Sequence, residues 1–240
     1  AAIDPQRYKN NIEFAKNWLI GMQSKNGGFA AFSVDQNFDY LNLIPFADHG
    51  ALLDPPTEDV TGRVLSFFGL LNQKELGESI DKAVEYLKKI QNSDRSWWGR
   101  WGTNYLYGTF SALVGLMQVG LSKNEPFILK AIEYLLKQQN PDGGWGESCG
   151  SYQTKENNQI KEPSSLFHTA IVLIALLSAD LIFDRQIERG IQYLVQRKSS
   201  WKDEHFNAPG FPRVFYLKYH GYEILFPLWA LGLYKEKKRI

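Results

Sequence analysis

Four times along this chain an amphipathic helix runs into a tight turn that closes on an aromatic residue. The stretches FAKNWLIGMQSKNGGFAAF, KAVEYLKKIQNSDRSWWG and KAIEYLLKQQNPDGGWGE place Gln23, Gln91 and Gln139 six residues before Phe29, Trp97 and Trp145. RGIQYLVQRKSSWKD is a decayed fourth copy, with Lys198 at the glutamine position and only Ser-Ser before Trp201. Self-similarity at a fixed offset marks stacked helical units. Within a copy, apolar residues such as Ile132, Leu135 and Leu136 recur at helical spacing. Each helix stops at Pro or Gly, which continue it poorly.

The repeated pair suggests a structural role. Four carbonyls at a helix end lack partners. A glutamine amide there can donate to one of them and accept from the next unit, with the indole lying flat over the amide. On this reading the turn staples one helix layer to the next, and Asp142 and Glu147 beside it belong to architecture.

Second helices lie between the copies. TEDVTGRVLSFFGLL follows Pro55-Pro56, with Thr57 as N-cap and Glu58-Asp59 in the first turn, where the helix dipole favours acids. TFSALVGLMQVGL and SSLFHTAIVLIALLSADL are the next two. LFHTAIVLIALLSADLIF approaches the roughly 20 residues that span a bilayer, but it contains His168, Thr169, Ser178 and Asp180. It reads as a helix buried on most sides. A last helix is expected through FYLKYHGYEILFPLWALGLYK, kinked at Pro227. Phe211, Phe215, Tyr219 and Tyr222, spaced four, four and three apart, then share one helical face. No segment sustains period-two alternation, so the chain reads as all-α, with its turns on one rim.

Composition narrows the chemistry. Of 240 residues, 44% are hydrophobic, enough for a sizeable core, and aromatics reach 14%, more than ordinary packing asks for. A net charge of +1 gives no footprint for nucleic acid. One cysteine excludes an internal disulfide. Four scattered histidines show no zinc-site spacing, and no glycine loop resembles a phosphate cradle. Neither metal nor organic cofactor is expected. The chain opens AAIDPQRYKN, without a recognisable signal peptide. The basic ending YKEKKRI reads as a solvated tail that is also suited to anionic lipid.

The repeat resembles the QW motif of the triterpene cyclases. DRSWWGRWGTNYLYG, Asp94 to Gly108, resembles a more specific signature of that family, with Arg95 where Gly is usual and Thr103 where an aliphatic residue is usual. DPPTEDVTGRVL and GFPRVFYLKYHGY are similar to segments of bacterial squalene–hopene cyclases. The resemblance covers nearly the whole chain. It implies that residues 1–240 are the C-terminal portion of a catalytic domain, an incomplete (α/α)6 barrel of helix pairs lacking its upstream helices and the second barrel. It also implies a proton-initiated cyclisation of squalene. The family's catalytic acid lies in an Asp-x-Asp-Asp motif, which this sequence does not contain; VDQNFDY and TEDV have the wrong spacing.

Carried over residue by residue, the resemblance makes Trp101, Tyr107, Phe211, Phe215, Tyr219 and Tyr222 aromatics of the cavity wall. Phe32 stands where relatives commonly carry a cavity Tyr. Phe46 and Ala47 of LIPFADHG fall at the substrate channel's constriction. Asp54 and Asp59 match acids near the catalytic acid, and Arg63 stands where hopene-forming relatives often have a histidine paired to it. Squalene, or a related linear polyprenoid, is the implied partner, met at the cytoplasmic face of a membrane by a monotopic protein; homodimerisation is compatible with this. Two other readings stand beside it: a cyclase for oxidosqualene or a tetraprenyl sesquarterpene, and a non-catalytic toroid that binds a lipid or a protein. A zinc-dependent prenyltransferase shares the architecture, but its Asp/Cys/His cluster cannot be assembled from these residues.

Overall fold

The computed structural model describes residues 6–36, 38, 40–41, 44, 52–153, 160–197 and 205–239. Eight α-helices form among them: α1 Lys9–Gly21, α2 Glu58–Leu71, α3 Gly77–Ile90, α4 Tyr105–Gln118, α5 Pro126–Lys137, α6 Leu166–Ser178, α7 Arg185–Gln196 and α8 Tyr222–Lys237. The even-numbered helices pack side by side as an inner row, α2 on α4, α4 on α6 and α6 on α8, with the odd-numbered helices outside. Helix composition accounts for this division. Every residue of α6 from Leu166 to Leu177 is buried, as is every residue of α4 from Tyr105 to Leu116. A helix apolar all round belongs inside. The outer helices bury one stripe each, for example Ala83, Tyr86 and Leu87 on α3. Among the described residues no helix is long and apolar enough to cross a membrane, in keeping with a buried α6.

The repeated glutamines staple successive outer helices. Gln23 Nε2 donates to the carbonyl of Gly27 in its own turn at 2.9 Å and to that of Ser79 in α3 at 2.8 Å. Gln91 does the same with Arg95 and with Phe127 in α5, both at 3.0 Å. Gln139 repeats it with Gly143 and with Gln186 in α7, both at 2.8 Å. The indole also makes a hydrogen bond that the sequence did not suggest. Trp97 Nε1 donates to Leu87 O and Trp145 Nε1 to Leu135 O, at 2.8 and 2.7 Å. Each tryptophan therefore bonds a carbonyl in the last turn of its own helix. A third element escapes the sequence pattern. The main-chain N–H groups of Phe29, Trp97 and Trp145 donate to Thr61, Thr109 and Thr169, each on the following inner helix. Gly27 and Gly143 adopt φ near +90° in these turns, and the equivalent Arg95 is held at +76°. Lys198 and Trp201, the fourth copy, lie outside the described residues.

Glu147 also belongs to this framework. Its carboxylate accepts from the N–H groups of Asn104, Tyr105 and Leu106 at the start of α4, the end that favours negative charge. Burial nevertheless pushes its pKa up to about 7.

Two features depart from the all-helical expectation. β1 (Trp145–Glu147) pairs antiparallel with β2 (Lys161–Ser165), and β3 (Ala208–Phe211) with β4 (Phe215–Leu217). The second hairpin replaces the upstream half of the expected last helix. Phe211, Phe215, Tyr219 and Tyr222 therefore share no helical face: the first two lie on strands, Tyr219 precedes the helix, and Tyr222 opens α8. Pro209 and Pro212 disfavour helix here. Phe215 packs over Gly210, where a Cβ would stand 1.9 Å from its ring. Pro227 lies within α8, after its first turn.

Candidate active site

The N-terminus of α2 and the loop before α4 meet at one end of the inner row. Between them lies a hollow of about 330 Å³, walled by Asp59, Arg63, Val64, Trp101 and Tyr107. A second hollow of about 300 Å³ shares Leu19, Val60, Val64 and Trp101 with it and extends to Trp18, Phe29 and Phe32. The walls are almost wholly apolar, so a ligand here would be hydrocarbon-like.

Asp59 is buried, and its carboxylate is fully engaged. Oδ1 accepts from Thr57 Oγ1 at 2.7 Å and from the N–H of Val60 at 3.0 Å, and Oδ2 accepts from the N–H of Trp101 at 2.8 Å. Burial raises its pKa, against the pull of these bonds. Thr57 holds the N-cap position as expected, but its hydroxyl donates to Asp59 and does not cap the helix. Thr57 also joins the site to the first repeat turn, because its N–H donates to Phe29 O. Glu58, next to Asp59, is pushed up to about 8, first by burial and then by repulsion from Asp59. Asp54 stands apart from this pair and accepts from the N–H of Phe32.

Arg63 points into the site. Its guanidinium lies 4.7 Å from the ring centre of Phe110 and 5.7 Å from that of Tyr107. From Tyr107 the aromatic faces continue. Its ring is 6.3 Å from Phe167, which stacks on Tyr222 at 5.2 Å, and Tyr222 lies 5.0 Å from Tyr219. Phe226 closes the group, 5.0 Å from Tyr222 and 6.1 Å from Phe110. Phe32 sits edge-on to Trp101 at 5.7 Å, although 75% of it is exposed.

Of the residues expected at the site, the fold thus gathers Asp59, Arg63, Trp101, Tyr107 and Phe32, and links Tyr219 and Tyr222 to them through Phe167. Phe211 and Phe215 pair with each other across the hairpin at 5.4 Å. Phe46 and Ala47 lie outside the described residues. Phe110, Phe167 and Phe226 were not anticipated, because apolar residues on helices look like ordinary core, as the buried Phe110 and Phe167 do. Glu58 was read only as a helix-end acid. His168, on buried α6, is structural. Its Nε2 lies 2.9 Å from Thr103 O and its Nδ1 2.8 Å from Ser165 Oγ, and burial lowers its pKa to about 4. Among the described residues no group of three His, Cys, Asp or Glu is placed to hold a metal ion.

An α/α arrangement with an aromatic-walled apolar cavity defines the class of terpene-cyclase folds. Solved structures agree on the fold. An ent-copalyl diphosphate synthase from Streptomyces platensis superposes with a TM-score of 0.63 at 16% identity, over 90% of this chain and 37% of that one. A type II terpene cyclase from Scytonema gives 0.61 at 19%, over 95% and 68%. Sequence comparison identifies the family: residues 2–236 match the squalene-hopene cyclase C-terminal domain, and the chain belongs to that family. It is 45% identical to a squalene–hopene cyclase of Bradyrhizobium diazoefficiens over 95% of its length, and 44% identical to that of Alicyclobacillus acidocaldarius over 97%. It spans 35% and 37% of those two relatives.

Proposed function

We propose that this chain supplies the aromatic wall of a squalene–hopene-type cyclase, which protonates a terminal alkene of a linear polyprenoid and closes it into fused rings. The observation that carries this reading is the apolar cavity in which Trp101 and Tyr107 stand beside the buried carboxyl of Asp59.

An alkene is a very poor base, so its acid must be a carboxyl kept protonated in a dry setting beside a second carboxyl. Asp59 and Glu58 show the shifts such a setting produces, but Asp59 spends its oxygens on Thr57, Val60 and Trp101. The acid is therefore assigned to the family's Asp-x-Asp-Asp segment, outside these residues. Each carbocation then needs stabilisation without a nucleophile to trap it. Aromatic faces provide about 2 kcal/mol or more apiece when desolvated. Tyr107, Tyr222 and Tyr219, joined through Phe167, offer such faces in succession. Exclusion of water decides whether the last cation loses a proton or gains a hydroxyl.

Delivery of so apolar a substrate favours a monotopic protein at the cytoplasmic face of the membrane. Exposed Phe14 and Trp18 on α1 are in keeping with that placement. The test is incubation of the intact enzyme with squalene, with the products analysed by gas chromatography and mass spectrometry. Polycyclic hydrocarbon is expected, and its absence would overturn the reading. The 240-residue chain by itself should give none. Turnover by it would overturn the assignment of the acid.

A further inference from the structure

Trp101 is held by hydrogen bonds at its backbone and by none at its ring. Its N–H is bound to Asp59 at 2.8 Å. The carbonyls on either side of it, those of Gly99 and Gly102, lie 2.6 and 2.7 Å from the Tyr152 hydroxyl. The indole Nε1, by contrast, is buried without a hydrogen-bond partner. Trp97 and Trp145 differ here, since a carbonyl holds each of their indoles. Something other than a hydrogen bond must therefore set the angle at which Trp101 meets the cavity. Phe32 touches its edge, but is itself largely exposed. The ring packs against the apolar core, and over its face lies the Arg100 guanidinium, 4.3 Å from the ring centre. Arg100 in turn reaches the hairpin, its Nη1 making a long contact of 3.5 Å to Gly210 O on β3.

We infer that Arg100 is a positioning residue: it stacks on the Trp101 indole, fixes the ring's angle in the cavity wall and couples that angle to the β3–β4 hairpin. A planar guanidinium suits the task, because it stacks on an aromatic face while its fork of N–H groups bonds elsewhere. This rests on the cyclase reading in one respect, that the wall at Trp101 meets a carbocation. The positioning itself does not depend on it.

The experiment uses the intact enzyme and two readouts. In protein labelled with 5-fluorotryptophan, the Trp101 fluorine resonance is assigned by its loss in Trp101→Phe. Arg100→Gln should shift or split that resonance and leave those of Trp97 and Trp145 in place. No change at Trp101 overturns the inference whether or not the enzyme cyclises squalene. The second readout is the ratio of incompletely cyclised to fully cyclised product. Arg100→Gln should raise it about tenfold, as expected of a misplaced wall residue, with little change in thermal midpoint. In the Trp101→Phe background the same substitution should add less than about twofold, since the two act as one unit. An equal effect in both backgrounds overturns the inference. Should Arg100→Gln fail to fold, Arg100→Lys, which keeps the charge and loses the plane, should move both readouts in the same direction by less. No shift in either readout would be equally fatal. An unlabelled wild type that makes no cyclic product would sink the cyclase reading and leave the fluorine result to decide the positioning.

Discussion

The repeat turns and the cavity wall use the same residue types in opposite ways. In the turn at Trp145, the indole N–H bonds Leu135, the main-chain N–H bonds Thr169 and Gln139 bonds the next helix. In the wall, Trp101 has an indole N–H without a partner, and Asp59 sits with a raised pKa. The turn spends its polar groups on stability. The wall leaves an indole N–H unsatisfied, which is how sites shaped for chemistry commonly differ from scaffold; a carboxyl with a raised pKa occurs in both, Asp59 here and Glu147 in the framework.

The largest effect expected from this contrast comes from cutting each tryptophan to alanine. Trp145→Ala removes a fully buried indole together with a helix-end hydrogen bond. It should cost about 3–5 kcal/mol in chemical denaturation. Trp101→Ala removes a half-buried ring that lines a hollow and makes no indole hydrogen bond. It should cost only about 1 kcal/mol while altering the product mixture. Equal losses of stability at the two positions would break the comparison.

A smaller effect separates the two regions by pH. In the fold the Glu58 carboxyl has a pKa of about 8, against an ordinary 4.5. The unfolded chain therefore ionises first, and stability should fall as pH rises from about 4.5 to about 8. His168 works on the other limb. Held neutral with a pKa near 4 against an ordinary 6.5, it should make stability fall as pH drops through that interval. Glu58→Gln should flatten the alkaline limb of denaturation midpoints measured from pH 4 to 9 and spare the acid limb. What remains of the alkaline limb belongs to Glu147 in the framework, raised to about 7, and to Asp59, which burial also raises. An unaltered alkaline limb would show that Glu58 is not under strain.

What could be read from sequence divides along the same line. Among the described copies, each glutamine bonds a carbonyl four residues on, and each of the two indoles a carbonyl ten residues back. Constant local offsets leave a repeat that can be seen. The threonines that receive the turn N–H groups lie 32, 12 and 24 residues downstream, because the intervening loops differ in length, so the same interaction leaves no visible period. Trp101, Tyr107 and Asp59 were found through a motif. Phe110 and Phe167 became visible as the packing behind Tyr107 and Tyr222 only when α4, α6 and α8 were brought together. The aromatic spacing from Phe211 to Tyr222 suggested a helix, although Pro209, Gly210 and Pro212 already favoured the hairpin.

The smallest effect tests whether the framework is as regular as its hydrogen bonds suggest. Arg95 occupies the left-handed position that glycine fills at Gly27 and Gly143. Its side chain is exposed, while its backbone carries the turn, the N–H bonding Asn92 and the carbonyl receiving Gln91. An L-residue in this conformation costs about 1–2 kcal/mol, and glycine gives back part of that through the greater freedom of the unfolded chain. Arg95→Gly should therefore stabilise the protein by about 0.5–1 kcal/mol, read as a higher denaturation midpoint at unchanged slope. The same substitution should leave the product mixture untouched, since this turn belongs to the scaffold. A loss of stability would mean that the exposed arginine contributes a contact outweighing its backbone strain, and the three turns could then no longer be treated as copies of one device.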